Sequence, residues 1–113
     1  MNFDQVSQFY NFSGQTIVIT GGAGVLAREM ACALASCNAD VIILDRDARL
    51  AEKVIRQMPA DVSSRVGSIQ VDVLDRASLQ KAAEAIMADF DRVDVLINAA
   101  GGNHPAATTK PEQ

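Results

Sequence analysis

The chain of 113 residues has no tryptophan, one tyrosine, three prolines, two cysteines and one histidine. Each scarcity removes an option. A single histidine and the pair Cys32 and Cys37 do not make the ligand set of a zinc site. On one helix those two Cα atoms would stand about 8 Å apart, too far for a disulfide. Both read as small apolar residues in a reducing, cytoplasmic compartment. Basic charge is also short. Ten Lys and Arg against fourteen Asp and Glu leave a net charge of −4, without the basic face of a nucleic-acid binder. No apolar run reaches the roughly 18 residues of a membrane span. Met1 to Ser13 lacks the basic start and apolar block of a secretory signal. Small anions stay within reach, because backbone amides bind them without net positive charge.

What the chain has in quantity is hydrophobic residues, 49%, enough for one core in one small domain. They alternate between strand-like and helix-like patterns. Residues 1–13 read as an N-terminal arm or short helix. Thr16 to Thr20 is a β-branched run between Gly14 and Gly21, a first strand apolar on both faces. A glycine-rich turn leads into a first helix from about Gly24 to Ser36, with Leu26, Met30, Ala33, Leu34 and Cys37 at helical spacing. Val41 to Leu44 is a second strand. Asp47 is the expected N-cap of a second helix carrying Ala51, Val54, Ile55 and Met58 on one stripe, stopped by Pro59. Val66 to Val71 is a third strand, less apolar and nearer an edge. Asp75 caps a third helix whose expected inner face is Leu79, Ala82, Ala83, Ile86, Met87 and Phe90. Val93 to Ile97 is a fourth strand. Residues 99–113 read as a loop or tail.

This β-α-β-α-β-α-β pattern predicts an α/β fold over residues 14–98: a doubly wound parallel sheet of Rossmann type, in the order 3-2-1-4. Ligands in such sheets sit beyond the carboxyl ends of the strands, where the order reverses between strands 1 and 4.

Four groups of residues fall near that place. Gly21, Gly22, Ala23, Gly24, Val25 and Leu26 join a strand to a helix. Such a turn aims free amides and the positive helix end at one point, where a pyrophosphate fits. Asp45 ends the second strand, 24 residues after Gly21, the offset at which dinucleotide folds place a ribose-binding carboxylate. A 2′-phosphate there meets a like charge, so NAD is favoured over NADP. Arg46 pulls the other way, since a guanidinium holds phosphate well. Asp72 and Val73 follow the third strand and suit an adenine amino group and ring. Asn98, Ala99, Ala100 and Gly101 let a cofactor lie close to the backbone, with Asn98 able to hold the sheet or turn. His104 reads as a solvated loop histidine beside Pro105 rather than a catalytic group.

With these groups together, the chain resembles the short-chain dehydrogenase/reductase family from about Ser13 to Thr109. The resemblance implies a Rossmann fold that binds NAD or NADP, and oxidoreductase activity. The family's usual Thr-Gly-x-x-x-Gly-x-Gly has Val25 and Ala27 here in place of its last two glycines. The spacing Gly21, Gly24, Ala27 is closer to extended, epimerase-like members. Asn98-Ala99-Ala100-Gly101 instead resembles the Asn-Asn-Ala-Gly of ordinary members. Gly-Gly-x-Gly-Val-Leu combined with Ala-Gly-Gly-Asn-His-Pro is similar to the branch of D-mannonate oxidoreductases and fructuronate reductases, which implies a sugar acid or similar secondary alcohol as substrate. The family's serine, Tyr-x-x-x-Lys pair and assisting asparagine find no counterpart. Tyr10 has no lysine four positions on, and Lys53, Lys81 and Lys110 have no tyrosine partner. No catalytic residue is therefore carried over, and the chain looks like the first half of such an enzyme, inactive alone. The alternatives are a nucleotide-binding module without chemistry, or a relative of the extended nucleotide-sugar epimerases. A bare apolar edge on the fourth strand, Val93, Val95, Leu96 and Ile97, predicts self-association.

Overall fold

The strand-forming residues are β-branched, and their side chains alternate between two apolar faces, so each strand must be covered on both sides. The computed structural model, which describes residues 9–99, meets that demand with intervening helices. The order is β1 (Thr16–Thr20), α1 (Val25–Ser36), β2 (Asp40–Asp45), α2 (Ala48–Arg56), α3 (Ala60–Ser63), β3 (Val66–Gln70), α4 (Arg76–Phe90) and β4 (Val95–Asn98). The four strands form one sheet in the order β3-β2-β1-β4, all pairs parallel. This is the doubly wound Rossmann arrangement. Residues 1–8 of the expected arm, and Ala100, Gly101 and His104, lie outside the described residues.

One face of the sheet presents Ile17, Ile19, Val41 and Ile43 to Ala27, Ala31 and Ala35 of α1, Ala51 and Val54 of α2, and Val62 of α3. The other presents Val18, Ile42 and Leu44 to Ala82 and Ile86 of α4, with Val71 between. Burying each aliphatic side chain is worth about 1.5–3 kcal/mol.

Several expectations need correction. The inner stripe of α1 is alanine, while Leu26 is 75% exposed. Small side chains let the helix axis come close to the sheet, which displaces Met30, Cys32 and Leu34 to flanking, half-buried positions. Of the two cysteines, Cys37 is buried but Cys32 only half so. On α4, Met87 and Phe90 are exposed, as is Ala83. Of α4, only Ala82 and Ile86 are buried against the strands, with Leu79 partly so. Pro59 does not merely follow α2, which ends at Arg56; it opens α3, unforeseen in the sequence because one helical turn has no periodicity to read. The third strand stops at Gln70, and the fourth runs from Val95 to Asn98 rather than from Val93. Ile97 is not part of a bare edge; it packs against the α1 side of the core.

The caps are as the sequence predicts. The Asp47 carboxylate accepts from the Leu50 amide at 3.0 Å, and Asp75 accepts from Ala77 at 3.0 Å. Each replaces a lost helix-end hydrogen bond. At the amino ends of the strands, Thr16 N donates to the Asp94 carboxylate at 2.7 Å, and Arg92 donates to Gly14 O at 3.1 Å.

Candidate functional site: the carboxyl rim of the sheet

Parallel register brings the strand ends together. Thr20 lies opposite Leu44 on one side and Asn98 on the other, and Asp45 lies opposite Gln70. The loops carrying Gly21–Leu26, Asp45–Arg46, Asp72–Val73 and Asn98–Ala99 therefore leave the sheet at one rim. The rim holds at the β1/β4 switch point because Thr20 Oγ1 donates to Asn98 Oδ1 at 2.7 Å and Ala99 N donates to Thr20 O at 3.1 Å. Asn98 thus has the sheet-holding role its side chain allows.

The glycine turn is built by close approach. Gly21 has φ +66°, a left-handed conformation that glycine adopts without strain, and its amide donates to Leu44 O. A Cβ on Gly22 would stand 2.7 Å from Ile43 Cγ2, so only glycine lets the turn lie on β2. Gly24 N closes the turn on Gly21 O at 3.1 Å. Gly24 then caps α1 with no side-chain hydrogen bond and no acidic residue in the first turn. The first backbone bond of the helix is Arg28 N to Gly24 O, at 2.8 Å. The amides of Val25, Leu26 and Ala27 precede it, and they carry the positive end of the helix dipole. Val25 and Leu26 themselves present exposed apolar side chains at this mouth.

Asp45 is tied to the same turn. Its Oδ2 accepts from Ala23 N at 3.1 Å and its Oδ1 from Asp47 N at 2.9 Å. The Ala23 amide is committed to this carboxylate, which leaves the amides of Val25, Leu26 and Ala27 open at the helix start. Carboxylate oxygens accept more than one hydrogen bond each, and Asp45 keeps acceptor capacity for sugar hydroxyls. Beside it, Arg46, Asp47, Ala48, Arg49 and Gln70 line an open pocket. Gln70 Nε2 braces this loop by donating to Arg46 O at 3.2 Å.

Asp72 forms its own turn. Its carboxylate accepts from Leu74 N at 3.0 Å, and its amide donates to Ser78 Oγ at 3.1 Å. Val73 is partly exposed beside it. Three contributors escaped the sequence reading: Arg28, Gln70 and Ser78. Nothing in a one-dimensional pattern marks them, because each acts through a hydrogen bond to loop backbone. Among the described residues, no group of His, Cys, Asp and Glu is arranged to hold a metal.

The glycine cradle, the open amides of α1 and the acidic end of β2 fit a dinucleotide. Comparison with known proteins agrees. A family model described as short chain dehydrogenase matches residues 15–113. The chain belongs to the short-chain dehydrogenase family. It is 46% identical over 102 residues to the uncharacterized oxidoreductase UxuB of Bacillus subtilis, covering 90% of this chain and 36% of that protein. It is 35% identical over 92 residues to D-threitol dehydrogenase of Mycolicibacterium smegmatis, covering 81% of this chain and 35% of the enzyme. Among solved structures, a Haemophilus influenza protein proposed to be a D-mannonate oxidoreductase, with NAD bound, superposes with a TM-score of 0.78. Identity there is 32%, over 96% of this chain and 38% of that one. The chain thus spans little more than a third of the length of these relatives.

Proposed function

We propose that residues 14–98 are the dinucleotide-binding unit of a short-chain dehydrogenase that acts on a sugar acid or similar secondary alcohol, with residues 1–13 as an arm and 99–113 as the lead into further structure. One observation carries the binding part: three glycines deliver an uncapped helix start to the switch point of a parallel sheet. In this reading the amides of Val25, Leu26 and Ala27 bind the diphosphate, Gly21, Gly22 and Gly24 leave room for it, and the Ala23 amide sets Asp45. Asp45 accepts from the adenosine ribose hydroxyls, and its charge favours NAD over NADP. Arg46, beside Asp45, is suited to a phosphate, Asp72 and Val73 bound the adenine, and Asn98, Ala99, Ala100 and Gly101 border the remainder. The bound cofactor supplies hydride exchange; this chain binds and orients it, and excludes water with Val25 and Leu26.

The substrate class draws on the D-mannonate oxidoreductase proposal for the NAD-bound neighbour, and on the sugar alcohol named for D-threitol dehydrogenase. No tyrosine of this chain has a lysine four positions on, so the chain alone is inactive in this reading. The exposed Leu96 and half-open Val95 on the outer edge of β4 favour self-association of the isolated chain. A cytoplasmic setting accords with the two free thiols. Calorimetry with NAD, NADP and ADP-ribose tests the reading. Binding of NAD and ADP-ribose, without turnover of sugar acids, is expected; a folded chain that binds none of the three refutes it.

A further inference from the structure

The least expected residue at the rim is Arg28. It sits one turn into α1, where a cation opposes the positive helix end and no acidic residue of the first turn compensates it. A side chain on a helix leans toward the amino terminus and covers the preceding turn. Arg28 does so: Nη2 donates to Ala23 O at 2.8 Å, and Nε approaches Gly24 O at 3.4 Å. Ala23 is thereby held at both poles of its peptide groups, its amide by Asp45 and its carbonyl by Arg28.

We infer that Arg28 is a positioning residue, a clasp that locks the glycine turn in the form that receives a diphosphate. This rests on the dinucleotide reading given above. A turn with glycine at three of four positions loses much conformational entropy when it orders, and that loss falls on ligand binding unless the turn is ordered beforehand. The carbonyls of Ala23 and Gly24 carry partial negative charge, and turned toward the amides of Val25–Ala27 they would repel an anion. The guanidinium fixes the Ala23 carbonyl away from that point with a charge-assisted bond, while Gly24 O is already held by the first backbone bond of the helix. It also leaves a positive charge within the first turn, where it favours a diphosphate. The preference is therefore for ligands that contain a diphosphate and not for the nucleoside alone.

The test uses Arg28→Met and Arg28→Lys in the full chain, with NAD, ADP and adenosine as ligands in calorimetry. Amide exchange at Ala23 and Ile43 is followed without ligand. Arg28→Met is expected to weaken NAD and ADP about five- to tenfold and adenosine by less, through the Ala23 amide that sets Asp45. Arg28→Lys, which reaches one carbonyl, recovers part of the loss. Without ligand, the Ala23 amide exchanges faster in Arg28→Met, while Ile43 stays protected and reports an intact sheet. Unchanged NAD affinity in Arg28→Met, an equal loss of adenosine, or unchanged exchange at Ala23 overturns the clasp. If the unaltered chain binds no NAD, the dinucleotide reading fails separately, and exchange at Ala23 still decides whether Arg28 orders the turn.

Discussion

The two faces of the sheet are built from the same kind of strand residue but are finished differently. On the α1 side, Ile19, Ile43, Ala31 and Ala35 have no solvent exposure, and three helices close over them. On the α4 side, a single helix covers Val18, Ile42 and Leu44, and its Met87 and Phe90 remain open to solvent. The difference teaches what supports the candidate site. The finished face supports the glycine turn directly, where Gly22 lies against Ile43, so the candidate site rests on the more fully buried half of the molecule. The other half is where the chain has apolar surface to spare, next to the open edge of β4.

The contrast can be broken most forcefully in the core. Ile43→Ala is expected to cost about 3–4 kcal/mol and Ile86→Ala about 2 kcal/mol in chemical denaturation. Equal costs would mean that the two faces are packed alike. Gly22→Ala tests the link between the finished face and the site. Its Cβ would meet Ile43, so a loss of about 1–3 kcal/mol is expected, together with NAD affinity; stability lost with binding intact would detach the turn from the ligand.

Asp45→Ala acts at the rim. NAD binding is expected to fall about tenfold, or about 1.4 kcal/mol, with a smaller loss for NADP, whose extra phosphate gains when the like charge goes. Equal losses in titrations with the two cofactors would leave Asp45 with only its bonds to Ala23 and Asp47. The smallest effect on folding is expected at the β4 edge. Leu96→Glu should shift light-scattering mass toward the monomer and change stability by less than about 0.5 kcal/mol. An unchanged assembly state would remove β4 as a contact surface.

Most of the architecture was legible because strand residues such as Ile17–Ile19 and Val41–Leu44 are apolar without a break, and Asp47 and Asp75 sit one position before their helices. Strand order then followed from the handedness of the crossovers. The glycine turn was legible from the strand before it and the helix after it, and Asp45 was singled out by its offset of 24 residues from Gly21. The face of α1 was not, because hydrophobicity ranks Leu26 above Ala27, whereas close helix-to-sheet packing ranks them by size. Arg28 was hidden for a different reason: its partners are carbonyls, and every residue has one. The commitment of the Ala23 amide to Asp45 was likewise invisible, since the two are joined only when β2 lies beside the turn.

The position of β4 also bears on time. Its ties to β1, from Asp94 to Thr16 and from Asn98 to Thr20, each span 78 residues. A ribosome adding about 5–20 residues per second needs roughly 4–16 s to cover that interval. During that interval β1 can pair with β2 but waits, one side unpartnered, for β4. Of the four described strands β4 is thus the last to arrive, and until it does β1 is exposed along one side.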